Sequence, residues 1–337
     1  MSVSLPPEVI PKLEALARRY GVTPGELVAR LVEELEGTED AELSVAVADG
    51  LLRYTREAFG TTAADKPFEY PGGDWYIRDS IIRLLVRSGC SVLVEVFGGS
   101  GVISMYAPRR VFKVVIYNDK DELLYSFFKC LRECPTELAR RLILMPFARR
   151  LHEELSRDVS MGRVSRMDPV EKAVVFFYLA RTSFSGSIGN SFRVVKDPRN
   201  NRARIYARKV ASLVELASRW LDVILENRDF RELIPLYDSD HTVFYCDPPY
   251  VSTDVERDHY RLGFTDRDMG SLLSHLARVK GRFVLKLQED NLKLPYVWRW
   301  VEERGYRVTY VEHFSYVGKV AEGKRRGKLK TALVSNY

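Results

Sequence analysis

The chain has 337 residues, of which 46% are hydrophobic, 29% charged and 11% aromatic. That is too much apolar material for a disordered protein, and the pattern fits neither a collagen-like repeat nor a coiled-coil rod. No apolar run approaches the roughly 18 residues of a membrane span, and the N-terminus has no charged segment followed by a long apolar stretch. Cys90, Cys130, Cys134 and Cys246 form no C-x-x-C pair and no disulfide framework. A cytoplasmic, globular, metal-free protein of about two domains is therefore expected.

The net charge of +6 is mild but unevenly spread: residues 1–40 hold four basic and eight acidic residues, whereas residues 181–209 hold eight basic residues and one acid. A second basic cluster lies at 318–330. Positive charge concentrated in this way suits a polyanion through counterion release, and equally suits a solvated loop. If nucleic acid is the partner, Arg181, Arg193, Lys196, Arg199, Arg202 and Arg204 are the candidate contacts.

In chain order, Ser2-Val3-Ser4-Leu5 alternates with the period of a strand and Pro6-Pro7 ends it. Val9, Leu13, Leu16 and Ala17 then recur at helical spacing up to Gly21, a C-cap. Thr23, Pro24 and Glu26 make the start of a second helix, with Leu27, Val28, Leu31, Val32 and Leu35 as its apolar face. One strand and two helices cannot close a core alone. Residues 1–37 resemble a ribbon-helix-helix segment, which implies a homodimer joined through paired strands. The outward Ser2 and Ser4 and the acidic balance favour dimerisation over reading of bases. A two-helix extension packed on its own chain is the other reading.

Residues 38–66 are expected to be a helical connector with an exposed end at 60–65. From residue 67 strands and helices alternate: a helix over Ile77–Val86, strands at Ser91–Val96 and Lys113–Tyr117, and a helix from Asp121. Residues 130–225 are mostly helical, and strands return at Val243–Cys246, Arg282–Leu287, Tyr306–Glu312 and Leu329–Asn336. The last two suit an antiparallel pair around the basic loop. The alternation predicts an α/β, doubly wound sheet.

Three motifs follow one another. Phe97-Gly98-Gly99-Ser100-Gly101 comes straight after a strand, where glycines allow a sharp turn and close approach to a nucleotide-like ligand, or serve a structural loop. Asn118-Asp119 ends the next strand; its carboxylate can accept both hydroxyls of an adenosine ribose, or cap a helix. Asp247-Pro248-Pro249-Tyr250 ends a third. Two prolines make a stiff turn without amide donors. Asp247 and the Pro248 carbonyl are then placed to accept both protons of an exocyclic amine, which frees its lone pair, with Tyr250 to stack on the base.

In that order these motifs resemble an S-adenosylmethionine-dependent, Dam-type DNA adenine-N6 methyltransferase of the Asp-Pro-Pro-Tyr class. Tyr70-Pro-Gly72-Gly73 is similar to the family's aromatic-x-Gly-Gly-Lys loop, Asp229-Phe230 to its Asp-Phe element, and residues 330–337 to its last strand. The resemblance covers 68–337. It implies a Rossmann-like methyltransferase sheet over 67–337, with a helical target-recognition insert at about 124–225 and a small N-terminal β-α-α unit ahead of it. It implies S-adenosylmethionine as cofactor, with Asp119 on the ribose. Tyr70, Gly72, Gly73, Asp74, Phe97, Gly98, Gly99, Gly101, Asp229, Phe230 and Asp247 would form the rest of its pocket. Asp247, Pro248, Pro249 and Tyr250 would be catalytic, double-stranded DNA the substrate, and a restriction enzyme a possible cognate partner. Two departures stand out: Asp74 occupies the place of the family lysine, and the insert's Phe-Asn-Gly run is Phe184-Ser-Gly186. A DNA-binding regulator with a cofactor-sensing half, and a cytosine-N4 or RNA methyltransferase, are the alternative readings.

Overall fold

The computed structural model describes residues 40–60, 66–70, 73–197, 199–249, 263–314 and 328–337. The ribbon-helix-helix-like unit expected at 1–37 lies outside the described residues, as do Gly72 and Tyr250.

Seven strands make one mixed sheet: β1 (Val92–Glu95), β2 (Val114–Asn118), β3 (Val223–Glu226), β4 (Thr242–Cys246), β5 (Arg282–Gln288), β6 (Arg307–Phe314) and β7 (Lys328–Ser335). Their order is β3-β2-β1-β4-β5-β7-β6. The first five run parallel, and β7 pairs antiparallel with both β5 and β6. The central strands are short runs of β-branched and aromatic residues buried on both faces, the pattern that parallel sheets require. Alternation divides them between two cores. Leu93, Val115, Tyr117, Val243, Tyr245 and Val284 face one side, while Val94, Ile116, Phe244, Phe283 and Leu285 face the other.

The strand β3 was not expected within 130–225. It is a four-residue edge strand with Ile224 exposed, too short for its periodicity to stand out from the helices before it. Between β2 and β3 the chain forms a helical layer over the first core. Its central helix, Pro169–Thr182, begins at a capping box made by Asp168 and Glu171 and buries nearly every side chain. Phe68 anchors this layer to the sheet domain, with its ring centroid 5.0 Å from Phe176 and 5.3 Å from Phe127. The helix Asp40–Phe59 packs on Pro135–Ile143 and Arg202–Ala211 of the same layer, and Asp49 forms an ion pair with Arg140 at 2.7 Å.

Candidate active site

Strand order reverses between β1 and β4, so the loops leaving their C-terminal ends diverge and open a crevice. A cleft of about 990 Å³, open to solvent, lies there. Tyr70, Gly73, Asp74, Phe97, Gly98, Gly99, Asp119, Asp229, Phe230, Asp247 and Pro249 all line it. Gly101 sits behind the cleft as the N-terminal residue ahead of Val102–Tyr106, and Pro248 is buried.

At one end the glycine loop is tied to the tip of β2. The Gly98 amide donates to the Asn118 carbonyl at 2.7 Å, the Gly99 amide to Asp119 Oδ2 at 3.0 Å, and the Tyr117 hydroxyl to the Gly99 carbonyl at 2.9 Å. Glycine at 98 is a matter of space: an added Cβ would lie 2.1 Å from the Tyr117 ring. Asp119 Oδ1 accepts from the Asp121 amide at 2.8 Å, so both oxygens are oriented before any ligand arrives. Asp121, not Asp119, caps the following helix. Asn118 reaches across to the Val96 carbonyl and to both backbone polar groups of Arg228, holding the loop that carries Asp229 and Phe230.

Above this cradle Phe97, Phe230 and Phe264 form an aromatic wall, with centroids 5.6 Å apart for Phe97–Phe230 and 5.9 Å for Phe97–Phe264. Phe264 was not anticipated; it stands alone ahead of a helix start, with no local motif to mark it. Asp229 caps Phe230–Tyr237 and accepts from Lys120 at 2.8 Å. Burial raises its pKa, but the hydrogen bonds from Lys120 and Arg231 outweigh this and keep it below the usual range. These residues fit an adenosyl group. An oriented carboxylate suits the hydroxyls of a ribose, and the aromatic faces suit a purine.

At the other end, Asp74 from the turn Asp74–Tyr76, Tyr245 of β4, Asp247 just after it and Lys286 of β5 form one polar cluster. Asp74 Oδ1 accepts from Lys286 Nζ at 2.6 Å and Asp74 Oδ2 from the Tyr245 hydroxyl at 2.7 Å, while Lys286 Nζ also donates to Asp247 Oδ2 at 2.8 Å. Burial pushes the Asp247 carboxyl upward, Lys286 opposes this, and Asp74 adds to it, leaving the carboxyl at about 7. Glu95, fully enclosed at the end of β1, accepts from the Ser104 amide at 2.9 Å and from the Ser104 hydroxyl. Burial raises its carboxyl to about 8 against those hydrogen bonds. Neither Glu95 nor Lys286 was singled out from sequence. The available signal was a charged residue inside a strand otherwise built to be apolar on both faces.

The six basic candidates separate into two groups. Arg193 and Arg202 donate to Glu69 at 2.6 and 3.4 Å, and Arg181 is buried beside the same carboxylate, with its Nε unpaired among the described residues. Burial alone would raise Glu69, yet the three guanidinium groups hold it down at about 2. Arg181 is thus a buried counter-charge, contrary to the expectation that it meets DNA. Lys196, Arg199 and Arg204 are exposed, with Arg199 on Asp197 at 3.1 Å and Arg204 over the Phe59 ring at 5.0 Å. The Phe184-Ser-Gly186 turn abuts the cofactor loop: a Cβ on Gly186 would meet the Glu69 carbonyl at 2.3 Å, and its φ is +79°.

A sheet with a glycine loop after β1, an acid after β2 and an Asp-Pro-Pro turn after β4, all on one crevice, defines a cofactor-dependent α/β transferase. The model of the D12 class N6 adenine-specific DNA methyltransferase family matches residues 70–316, and the chain belongs to that family. It methylates adenine N6 in DNA with S-adenosylmethionine as the methyl donor. The chain is also similar to a solved structure, the precorrin 8W decarboxylase that is the product of gene MT0146 of Methanobacterium thermoautotrophicum. That likeness has 13% identity over 79% of this chain and 92% of that one, with a TM-score of 0.34. No curated protein matches the sequence.

Proposed function

We propose that the enzyme acts on an adenine turned out of the duplex, with Asp247 and the Pro248 carbonyl accepting the two protons of its amine. One observation carries this reading: Asp247, the residue after β4, lines the same cleft whose far end holds Asp119. When bound, the cofactor supplies an electrophilic methyl group on sulfonium sulfur. Asp119 holds the ribose, and Phe97, Phe230 and Phe264 cover the purine. Pro248 and Pro249 lack amide N–H groups, so the turn presents acceptors alone to the amine. Asp247 and Pro248 draw both N–H bonds toward themselves, which localises the nitrogen lone pair. Tyr250 stacks on the base.

The helical layer between β2 and β3 serves as the target-recognition insert, and Lys196, Arg199 and Arg204 hold phosphates. Residues 1–37 pair two copies, so that DNA affinity gains from bivalency. Sedimentation of a variant lacking 1–37 tests this: a deletion variant that stays dimeric refutes it. For the site itself, the experiment is tritium transfer from labelled S-adenosylmethionine to mixed-sequence DNA, followed by nucleoside analysis of the product. Asp247→Ala removes a charge-assisted contact in a dry site, worth about 3 kcal/mol, and is expected to slow transfer about a hundredfold or more with cofactor affinity retained. Turnover near that of the unmodified enzyme refutes the role of Asp247.

A further inference from the structure

Lys286 occupies a position where a charge is costly. It lies in β5 between Leu285 and Leu287, is 3% exposed, and its neighbours on either side are buried. A lone ammonium there would be strongly disfavoured. Its ion pairs with Asp74 at 2.6 Å and Asp247 at 2.8 Å supply compensation. Asp74 in turn stands where the family pattern has lysine. The cation absent from the Gly-Gly loop is therefore present on β5, and a carboxylate fills the vacated loop position.

The geometry around Asp247 shows what this exchange does. Lys286 takes Oδ2, while Oδ1 accepts no hydrogen bond among the described residues and belongs to a side chain lining the cleft. Asp74, itself held by a hydrogen bond from the Tyr245 hydroxyl, accepts from the same ammonium. We propose that Lys286 is a positioning residue for methyl transfer: anchored on Asp74, it holds Oδ2 of Asp247 and turns the carboxylate so that Oδ1 faces the substrate amine. The proposal rests on the reading of Asp247 as the acceptor of that amine. One cation is shared by two carboxylates, so the cluster carries one net negative charge. It can accept the amine proton released as the N–CH3 bond forms and the S–CH3 bond breaks with its electron pair on sulfur. The titratable groups facing Asp247 are Lys286 and Asp74, then Tyr245 and Cys246, with Glu95 beyond Asp74.

The test uses the full chain carrying Lys286→Met, and the double variant Asp74→Asn with Lys286→Met, which also removes the second buried carboxylate and so guards against misfolding. Lys286→Met is expected to bind S-adenosylmethionine within about threefold of the unmodified protein, and both variants are expected to slow single-turnover transfer at pH 7 by about a hundredfold. Without the cation the Asp247 carboxyl titrates higher. The acid limb of the rate profile should therefore move up by a unit or more, and rate should recover as pH rises. In the cofactor-free protein, the melting temperature of Lys286→Met should fall more steeply from pH 5.5 to 8 than that of the unmodified chain, because the buried Asp247 carboxyl must then ionise without its cation. Lys286→Arg should retain more activity than Lys286→Met. Transfer within threefold of normal with an unmoved pH profile in either methionine variant overturns the proposal. If that occurs while Asp247→Ala is inactive, the acceptor role of Asp247 stands and only the role of Lys286 falls.

Discussion

Gly98→Ala puts the cradle argument at risk with a single methyl group. The added carbon would lie 2.1 Å from Tyr117 Cε2 and 2.6 Å from Cδ2 and Cζ, whereas carbon atoms in contact sit about 3.5–4.0 Å apart. Relief requires a movement of more than about 1 Å. Tyr117 cannot supply it: the ring is fully buried, packs 4.6 Å from Phe128 and 5.3 Å from Trp220, and its hydroxyl is bonded to Gly99. The loop must move instead, at the expense of the bonds from Gly98 to Asn118 and from Gly99 to Asp119. Overpacking of this kind costs about 1–3 kcal/mol, and each lost hydrogen bond about 1 kcal/mol. Asp119 would then lose the amide that orients it, and cofactor affinity should fall about thirtyfold or more, roughly 2 kcal/mol. Titration calorimetry with S-adenosylmethionine, alongside thermal unfolding, measures both terms. Gly50→Ala is the control, because its added carbon meets nothing within 4 Å in the helix Asp40–Phe59; it should raise stability by about 0.5–1 kcal/mol and leave affinity alone. A Gly98→Ala protein that binds cofactor within threefold of normal would refute the packing argument.

Asp119→Ala should weaken cofactor binding by at least about 2 kcal/mol, through loss of the ribose acceptors and of the Gly99 tether; equilibrium dialysis with labelled cofactor decides it, and unchanged affinity refutes the assignment. Glu95 should make stability depend on pH. Its carboxyl titrates at about 8 when folded and at about 4.3 when unfolded, so the folded state holds the extra proton between these values and stability falls as pH rises, by up to about 1.4 kcal/mol per unit. Glu95→Gln keeps the acceptor for Ser104 and should flatten the fall in melting temperature between pH 5.5 and 7.5; parallel curves count against it. Replacing Lys196, Arg199 and Arg204 together by Ala should reduce the salt dependence of DNA binding by about one unit of log-log slope per lost phosphate contact. Arg181→Ala should lower the melting temperature with the slope retained, and the opposite assignment of effects refutes the division between buried and exposed arginines.

Local patterns sufficed for much of this protein. The parallel strands are short β-branched and aromatic runs bounded by turns, and each motif falls at a strand end, so FGGSG, Asn118-Asp119 and Asp247-Pro248-Pro249 were legible one at a time. The helix start at Asp121 was legible as well, since its cap acts within a single turn. Strand β3 escaped because four residues at a sheet edge carry no distinctive period. What required the tertiary structure was pairing at a distance. The arginines at 181, 193 and 202 have the same composition as their exposed neighbours, and only the folded chain brings Glu69 among them. The Phe264 side chain joins Phe97 and Phe230 only through the packing of separate loops. Asp74 reads from sequence as a reversed charge beside the cofactor, yet in the fold Lys286, 212 positions away, neutralises it at 2.6 Å. Periodicity and capping are short-range effects written in neighbouring residues, whereas the charge balance of a buried site is settled by whichever side chains the sheet order places together.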